Sequence, residues 1–304
     1  MEKKIYAALN SIGAYVPSKI ITNDDLSKIV DTSDEWIQKR TGIKERRFAE
    51  SAEATSDLAT KAARIALQRA KLNPEQIDMV ILATISPDFF CMPSTACVVA
   101  NNLGIINKPA FDISAACSGF IYLLALAKSL IESKAYKNIL IVGAEKLSSI
   151  IDMQDRSTCV LFGDGAGAAI ISATEDREAA ILDVRVASNG AYQDFLMTPG
   201  CGSRNPANAG MLEERLQFIK MKGNETFKIA VKTLTNDVIE IMKANNLTKD
   251  DIDFFIPHQA NSRIISAVGE ALEFPSDKVV KTVHKYGNTS AASIPMAIND
   301  YYQE

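Results

Sequence analysis

Residues 72–81, LNPEQIDMVI, and residues 247–256, LTKDDIDFFI, share one design: a leucine, a polar turn, an Ile-Asp pair and then an apolar run. Each follows an amphipathic stretch. Residues 56–71 place Leu58, Ala62, Ile65 and Leu67 on one helical stripe, and residues 224–246 form a longer stretch of the same kind. Residues 80–84 are a short, β-branched run that reads as a strand. Helix, turn and strand thus occur twice, 175 positions apart.

The correspondence continues downstream, where each copy leads through a loop and a second helix to a strand that turns into a third helix. In the first copy that junction reads AFDISAACSGF (110–120), and in the second VVKTVHKYGNTSAAS (279–293). Matching order over several elements points to a duplicated α/β chain, with parallel or mixed sheets covered by helices on both faces. The halves are expected at 1–174 and 175–304. The first continues into two more strands, 138–143 and 165–172, whereas the second reaches Glu304 after its third helix. The second sheet is therefore expected to lack two strands, as in a shortened version of a longer protein. Residues 196–221, rich in Gly, Pro, Asn and charge, read as a long mobile excursion.

Composition narrows the function. With 47% hydrophobic and 23% charged residues, the 304-residue chain has ample apolar surface for a large core. A formal charge of -4 argues against a general nucleic-acid binder. The longest apolar run, 120–131, is interrupted by Lys128, and residues 1–17 hold no export-type apolar segment, so the protein is expected to be cytoplasmic and free of membrane spans. Five cysteines without a C-x-x-C pair, in mostly apolar surroundings, do not suggest a disulfide framework.

Three polar residues stand at equivalent turns. Cys117 follows the strand 110–114 and opens a helix, where the helix dipole and a nearby basic His would favour the attacking thiolate. His258 stands just past an expected strand, 253–256, and Asn288 occupies the matching turn of the next unit. All three are expected at carboxyl ends of strands, the edge at which open α/β sheets bind ligands. Taken singly, each has a blander reading: a buried core thiol, a hydrogen-bonded structural histidine, a helix cap.

At these residues the chain resembles the β-ketoacyl-[acyl-carrier-protein] synthase III family of the thiolase superfamily. The likeness is carried by DTSDEWIQKRTGIKERR (31–47), AACSGF (115–120), FGDGAGAA (162–169), PHQANSRII (257–265) and YGNTSAASIP (286–295). It implies a thiolase-like fold of duplicated βα halves, with mixed sheets layered between helices (αβαβα). It also implies a decarboxylative condensation of a short acyl-CoA with malonyl-acyl carrier protein, with the acyl group carried on Cys117. His258 and Asn288 would then donate hydrogen bonds to the enolate oxygen. No metal and no redox cofactor is implied, because the CoA thioester is a substrate.

By the same resemblance, Trp36 is a platform for the CoA adenine, with Arg40 and Arg156 around the nucleotide and Thr32 also contacting it. Gly223, Phe227, Ala260 and Asn261 would line the pantetheine tunnel. Gln259, Ala260, Asn261, Ser262 and Arg263, helped by Lys228, would contact acyl carrier protein, and the active form would be a homodimer. Each has a structural alternative, such as core packing for Trp36 and surface ion pairs for the arginines. FGDGAGAA lacks the Gly-Lys-Ser/Thr ending of a phosphate loop and reads as a tight turn in a buried sheet. The family commonly has Phe before Pro93, reaching into the partner's acyl pocket, and this chain has Met92. The family's GGGxTWG segment, which supplies an oxyanion donor for acylation, is not found in the sequence.

Rival readings remain. A degradative thiolase would use a second cysteine as base, and a hydroxymethylglutaryl-CoA synthase a glutamate near the nucleophile, which AACSGF does not have before it. A cysteine hydrolase would release free acid, and a silent homologue would bind carrier protein without chemistry.

Overall fold

The computed structural model describes residues 3–303. In chain order the elements are β1 (Tyr6–Tyr15), β2 (Lys19–Thr22), α1 (Asn23–Ser27), α2 (Asp34–Thr41), β3 (Glu45–Phe48), α3 (Thr55–Ala70), β4 (Met79–Ala83), α4 (Thr95–Leu103), β5 (Ala110–Ile113) and α5 (Gly119–Glu132). There follow β6 (Asn138–Glu145), α6 (Arg156–Cys159), β7 (Gly165–Thr174), β8 (Leu196–Met197), α7 (Ala209–Glu213), β9 (Lys220–Met221), α8 (Gly223–Ala244), α9 (Ser262–Ala271), α10 (Val283–Tyr286) and α11 (Ser293–Gln303).

One sheet of order β1-β7-β6-β4-β5 organises the molecule. β4 pairs in parallel with β5 and β6, and β7 runs antiparallel to β1 and β6. Because strand side chains alternate between faces, β4 sends Val80 and Leu82 towards α3 and α4, and Ile81 and Ala83 towards α5. All of β4 is buried, as expected of a strand covered on both sides. Ile294 and Ile298 of α11 join the α5 face, so the last helix closes the core of the first sheet. A separate apolar cluster joins α1 and α2 to α9 through Leu26, Ile37, Ile265 and Phe274.

The two related joints fold alike at first. Residues 74–76 and 249–251 both form 3-10 turns, each closed by a reciprocal capping pair, Asn73 with Gln76 and Thr248 with Asp251. They then diverge. β4 enters a ladder, whereas the expected strand at 253–256 makes only an isolated bridge, Phe255 to Val279. The expectation of a second mixed sheet is thus met only by this bridge among the described residues. Phe254 is 52% exposed and Leu182 is 59% exposed, because the extended segments that carry them have no neighbouring strand. α8, amphipathic as read, accordingly contains no fully buried residue.

Residues 196–221 differ from the mobile excursion expected. β8 pairs with β9 at the two ends of the segment, and Arg215 holds Asp152 with two hydrogen bonds of 2.5 and 2.7 Å. All five cysteines are free, as the absence of a disulfide framework requires, but their surroundings differ from the apolar ones expected: Cys91 and Cys97 are exposed and only Cys159 is fully buried. No helix among the described residues is long and apolar enough to cross a membrane.

Candidate active site

Cys117 lies within a 3-10 turn, residues 116–118, that leads from β5 into α5. The turn is entered by Ala116 at φ 45°, a left-handed conformation that costs a non-glycine residue free energy and orients the next side chain away from the strand path. Gly119 then lets the start of α5 sit against Ala83 and Ala291, since a Cβ there would come within 2.6 Å of one and 3.0 Å of the other. The Cys117 turn thereby packs against a second 3-10 turn, residues 290–292.

That second turn is the meeting point of the three sequence candidates. Asn288 is held from both sides: its N–H donates to the Leu161 carbonyl at 2.8 Å, and its carbonyl accepts from Gly163 N–H at 3.0 Å. The close approach needs Gly163, because a Cβ there would lie 2.3 Å from the Tyr286 carbonyl. FGDGAGAA is therefore the turn into β7, as read, and also a clamp on the Asn288 loop. Asn288 Oδ1 accepts from Ser290 N–H at 2.8 Å, which leaves the Nδ2 amide as a donor. His258 is tied to the same segment by a 2.6 Å hydrogen bond between Nδ1 and Ser293 Oγ.

With the ring proton on Nε2, Nδ1 accepts the Ser293 hydroxyl proton while Ser293 Oγ accepts from Gln259 N–H. Nε2 is buried without a partner among the described residues. Burial also pushes the His258 pKa down to about 4, so the ring is neutral near pH 7.

The thiol differs from the sequence expectation. Burial pushes the Cys117 pKa up to about 11, and the largest influence opposing it is the Ser290 hydroxyl, with a smaller one from the backbone of the turn. No cationic His lowers it, because His258 is uncharged, and desolvation outweighs the backbone contribution. The thiol faces a cavity of about 170 Å³ lined by Ile85, Phe162, Leu196, Met197, Ile219 and Ser290. Leu196, Met197 and Ile219 come from the segment read as an excursion, and nothing in their local pattern marks them as cavity wall.

Among the other candidates, Arg40 and Arg156 lie over the Trp36 ring, 5.1 and 4.9 Å from its centroid. Arg156 also donates to the Asp31 carbonyl at 2.6 Å, and Thr32 Oγ1 is buried without a partner. Arg263 lies over Phe227 at 5.4 Å, beside a shallow recess that includes Ser262 and Lys39. Asn261 caps α9 and donates to the Arg40 carbonyl, which ties that helix to α2. Ala260 adjoins this cap, while Gly223 and Lys228 are exposed on the first turns of α8.

One candidate, Gln259, is not where the sequence reading put it. Gln259 is 1% exposed and uses its amide on the Pro257 and Val280 carbonyls and the Thr282 and Val283 N–H groups. It braces the His258 loop and has no surface for a carrier protein, because a glutamine with both ends bonded inside is held there. Met92 is 80% exposed and absent from the Cys117 cavity of its own chain.

Sequence reasoning missed Glu145. It ends β6, fully buried, and accepts from Ser86 Oγ at 2.5 Å, Thr84 Oγ1 at 3.0 Å and Ile85 N–H at 3.1 Å. Burial raises its pKa to about 7, and its negative charge in turn raises that of Cys117. The available signal was a single acid closing the otherwise apolar strand NILIVGAE.

A family model described as 3-oxoacyl-[acyl-carrier-protein (ACP)] synthase III matches residues 111–190, and its C-terminal counterpart matches 242–304. Proteins named beta-ketoacyl-[acyl-carrier-protein] synthase III from Sulfurovum sp. (strain NBC37-1) and Campylobacter curvus (strain 525.92) are 61% and 64% identical to this chain. Those matches cover 99% and 98% of this chain and 88% of each relative. The crystal structure of 3-oxoacyl-[acyl-carrier-protein] synthase III from Aquifex aeolicus VF5 aligns with a TM-score of 0.90 at 46% identity, covering 98% of this chain and 91% of that one. Another synthase III crystal structure reaches 0.93 at 29% identity over the same shares. These likenesses bear out the thiolase-like α/β fold, and the protein belongs to the 3-oxoacyl-[acyl-carrier-protein] synthase III family of condensing acyltransferases.

Proposed function

We propose that the protein joins a short acyl-CoA to malonyl-acyl carrier protein, releasing carbon dioxide and yielding a 3-oxoacyl-acyl carrier protein that starts fatty acid synthesis. Cys117 Sγ attacks the acyl-CoA carbonyl; the C–S bond to CoA breaks, and free CoA leaves with the proton of the thiol. The malonyl thioester then enters, its carboxylate departs as carbon dioxide, and the electron pair left behind forms an enolate. The enolate carbon attacks the acyl-Cys117 carbonyl, forming the new carbon-carbon bond; the acyl C–S bond breaks, and Cys117 leaves as a thiolate that regains a proton from water.

The observation that carries this reading is the buried, unpartnered Nε2 of His258, on a ring whose Nδ1 is tied to Ser293. A ring whose protonated form has a pKa near 4 is a poor base at pH 7, and its Nε2–H is a fixed donor that suits an enolate oxygen. The free Nδ2 amide of Asn288, oriented by the Ser290 N–H, supplies the second donor. The walls contributed by Ile85, Phe162, Leu196 and Ile219 make the Cys117 pocket apolar, and the burial of His258 Nε2 and of Asn288 puts both donors at low dielectric.

Trp36 with Arg40 and Arg156 offers a ring and two cations to a nucleotide and its phosphates, with Thr32 beside them. On this reading Phe227, Ala260, Asn261 and Gly223 line the path of the pantetheine arm. Arg263, Ser262 and Lys228 offer a polar, cationic surface to an acidic carrier protein. CoA enters as substrate, and no resident cofactor takes part. The protein acts in the cytoplasm as a homodimer: β5 is an edge strand with Phe111 38% exposed, and Phe90 and Met92 stand out on a neighbouring loop, 71% and 80% exposed.

The test is condensation by the purified chain, with acetyl-CoA and malonyl-carrier protein, following acetoacetyl-carrier protein by mass alongside Cys117→Ala. Product that disappears in the variant supports the reading. Free acetate in place of product would replace it with a thioester hydrolase.

A further inference from the structure

Ser290 has no part in the reaction as described, yet its placement is unusual. It is 1% exposed, sits at φ 48°, and shares the Cys117 cavity. Its Oγ is buried without a hydrogen-bond partner of good geometry among the described residues. A buried unpaired hydroxyl destabilises the fold, and so does a non-glycine residue at positive φ. Two local penalties on one residue beside a nucleophile point to a function there. Ile85 lines the same cavity, and its N–H donates to Glu145, whose carboxyl is also held by Ser86 and Thr84.

We propose that Ser290 and Glu145 are an opposed pair of positioning residues that set the reactivity of Cys117, Ser290 donating its hydroxyl to the sulfur as it ionises and Glu145 restraining that ionisation. The inference rests on Cys117 being the acylated residue. Ser290 shares the cavity with the thiol and favours the ionised form of both the thiol and the Glu145 carboxyl, whereas Glu145 acts on the thiol through like charge. In the resting chain the hydroxyl has no partner among the described residues, and when the sulfur becomes anionic it turns to the sulfur. Glu145, with its pKa near 7, is then free to take up a proton and relieve the repulsion.

No other ionisable side chain competes. His258 is neutral, and Asp112 on β5 accepts from the Thr95 and Ala96 N–H groups. The remaining cavity walls carry no titratable group.

The experiment measures the rate of Cys117 alkylation by iodoacetamide against pH, read by peptide mass so that the other thiols are separated. It uses the full chain and the variants Ser290→Ala, Ser290→Gly and Glu145→Gln. Both serine variants lose the hydroxyl, but only the glycine relieves the backbone, so a shift common to both belongs to the hydroxyl. The expected result is a profile moved to higher pH in both, with alkylation at pH 8 about three- to tenfold slower and the high-pH plateau unchanged. Glu145→Gln is expected to move the profile the other way, a sign that general loosening of the site would not give. Wild-type profiles in both serine variants would overturn the proposal, and a shift of Glu145→Gln in the same direction as theirs would remove Glu145 from it. Incubation of the unmodified chain with acetyl-CoA separates the two levels: no acetyl group on Cys117 would sink the nucleophile reading itself.

Discussion

Ala116 at φ 45° and Ser290 at φ 48° each open a 3-10 turn that becomes a helix, α5 in one case and α11 in the other. The turns come from corresponding places in a repeated plan and pack against each other. One presents a sulfur to the cavity. The other presents the Ser290 hydroxyl to it and holds the Asn288 amide through Ser290 N–H, while Ser293 just beyond anchors the His258 imidazole. A shared backbone device has thus been given opposite chemistry, an electron-rich group on one side and donors on the other. The strain at both positions is held because neighbouring elements leave no room to relax: a Cβ on Gly143 would meet the Ala291 carbonyl at 2.3 Å.

Removing the reactive atom of the first turn has the largest expected effect. Cys117→Ala should lower condensation by more than about a thousandfold, since no other thiol is exposed to the same cavity. Product formation by mass is the measurement, and residual turnover near that of the unmodified protein would break the comparison at its base. Damage to the second turn should act on the other half-reaction. Asn288→Ala or His258→Ala should cost about a hundredfold in condensation while Cys117 is still acetylated, as single-turnover labelling would reveal. Equal loss of acetylation would mean that the two turns do not divide the work.

The seam between the turns can be tested through Gly143→Ala. A methyl pressed on the Ala291 backbone should destabilise the protein by about 1–3 kcal/mol, read as a lower urea midpoint. A wild-type midpoint would mean that the turns are free to separate.

The buried acid and the buried imidazole should also pull in opposite directions with pH. Glu145 has its folded pKa raised from 4.5 to about 7, so its contribution is complete below 4.5 and fades as pH rises towards 7. His258 has its folded pKa lowered from 6.5 to about 4, so its contribution is complete above 6.5 and fades as pH falls towards 4. Between 4.5 and 6.5 the two slopes offset each other. In Glu145→Gln the His258 slope stands alone, and stability should rise more steeply with pH across that window than in the unmodified protein, as denaturant titrations at several pH values would register. The smallest effect expected is on the surface: Arg263→Glu should raise the KM for malonyl-carrier protein several-fold at low salt and leave acetyl-CoA unaffected. An equal change for both substrates would move Arg263 from the carrier surface to the CoA path.

The repeated joint marks how far a single sequence carries. LNPEQIDMVI and LTKDDIDFFI were legible as equivalent, and their capped 3-10 turns are, because a turn is decided by residues in hydrogen-bonding reach of one another along the chain. Whether the next residues become a strand depends on neighbours far away in sequence. Val80 has β5 and β6 on either side, and Phe254 has no such ladder. The same limit applies at the site. The turn geometry at Cys117 was readable, but its pKa was not, since desolvation and the charge of Glu145 arise from packing.

By itself, then, the amino-acid sequence determined the helices with their apolar stripes, the capped turns, the family motifs and the identity of Cys117, His258 and Asn288. These are local patterns or motif residues, and each survives whatever the rest of the chain does. Only the tertiary structure decided that Gln259 faces inward, that residues 196–198 wall the cavity, and that Glu145 and Ser290 flank the thiol. Those outcomes depend on which segments exclude water from which polar groups, a property of the folded arrangement that no stretch of residues carries alone.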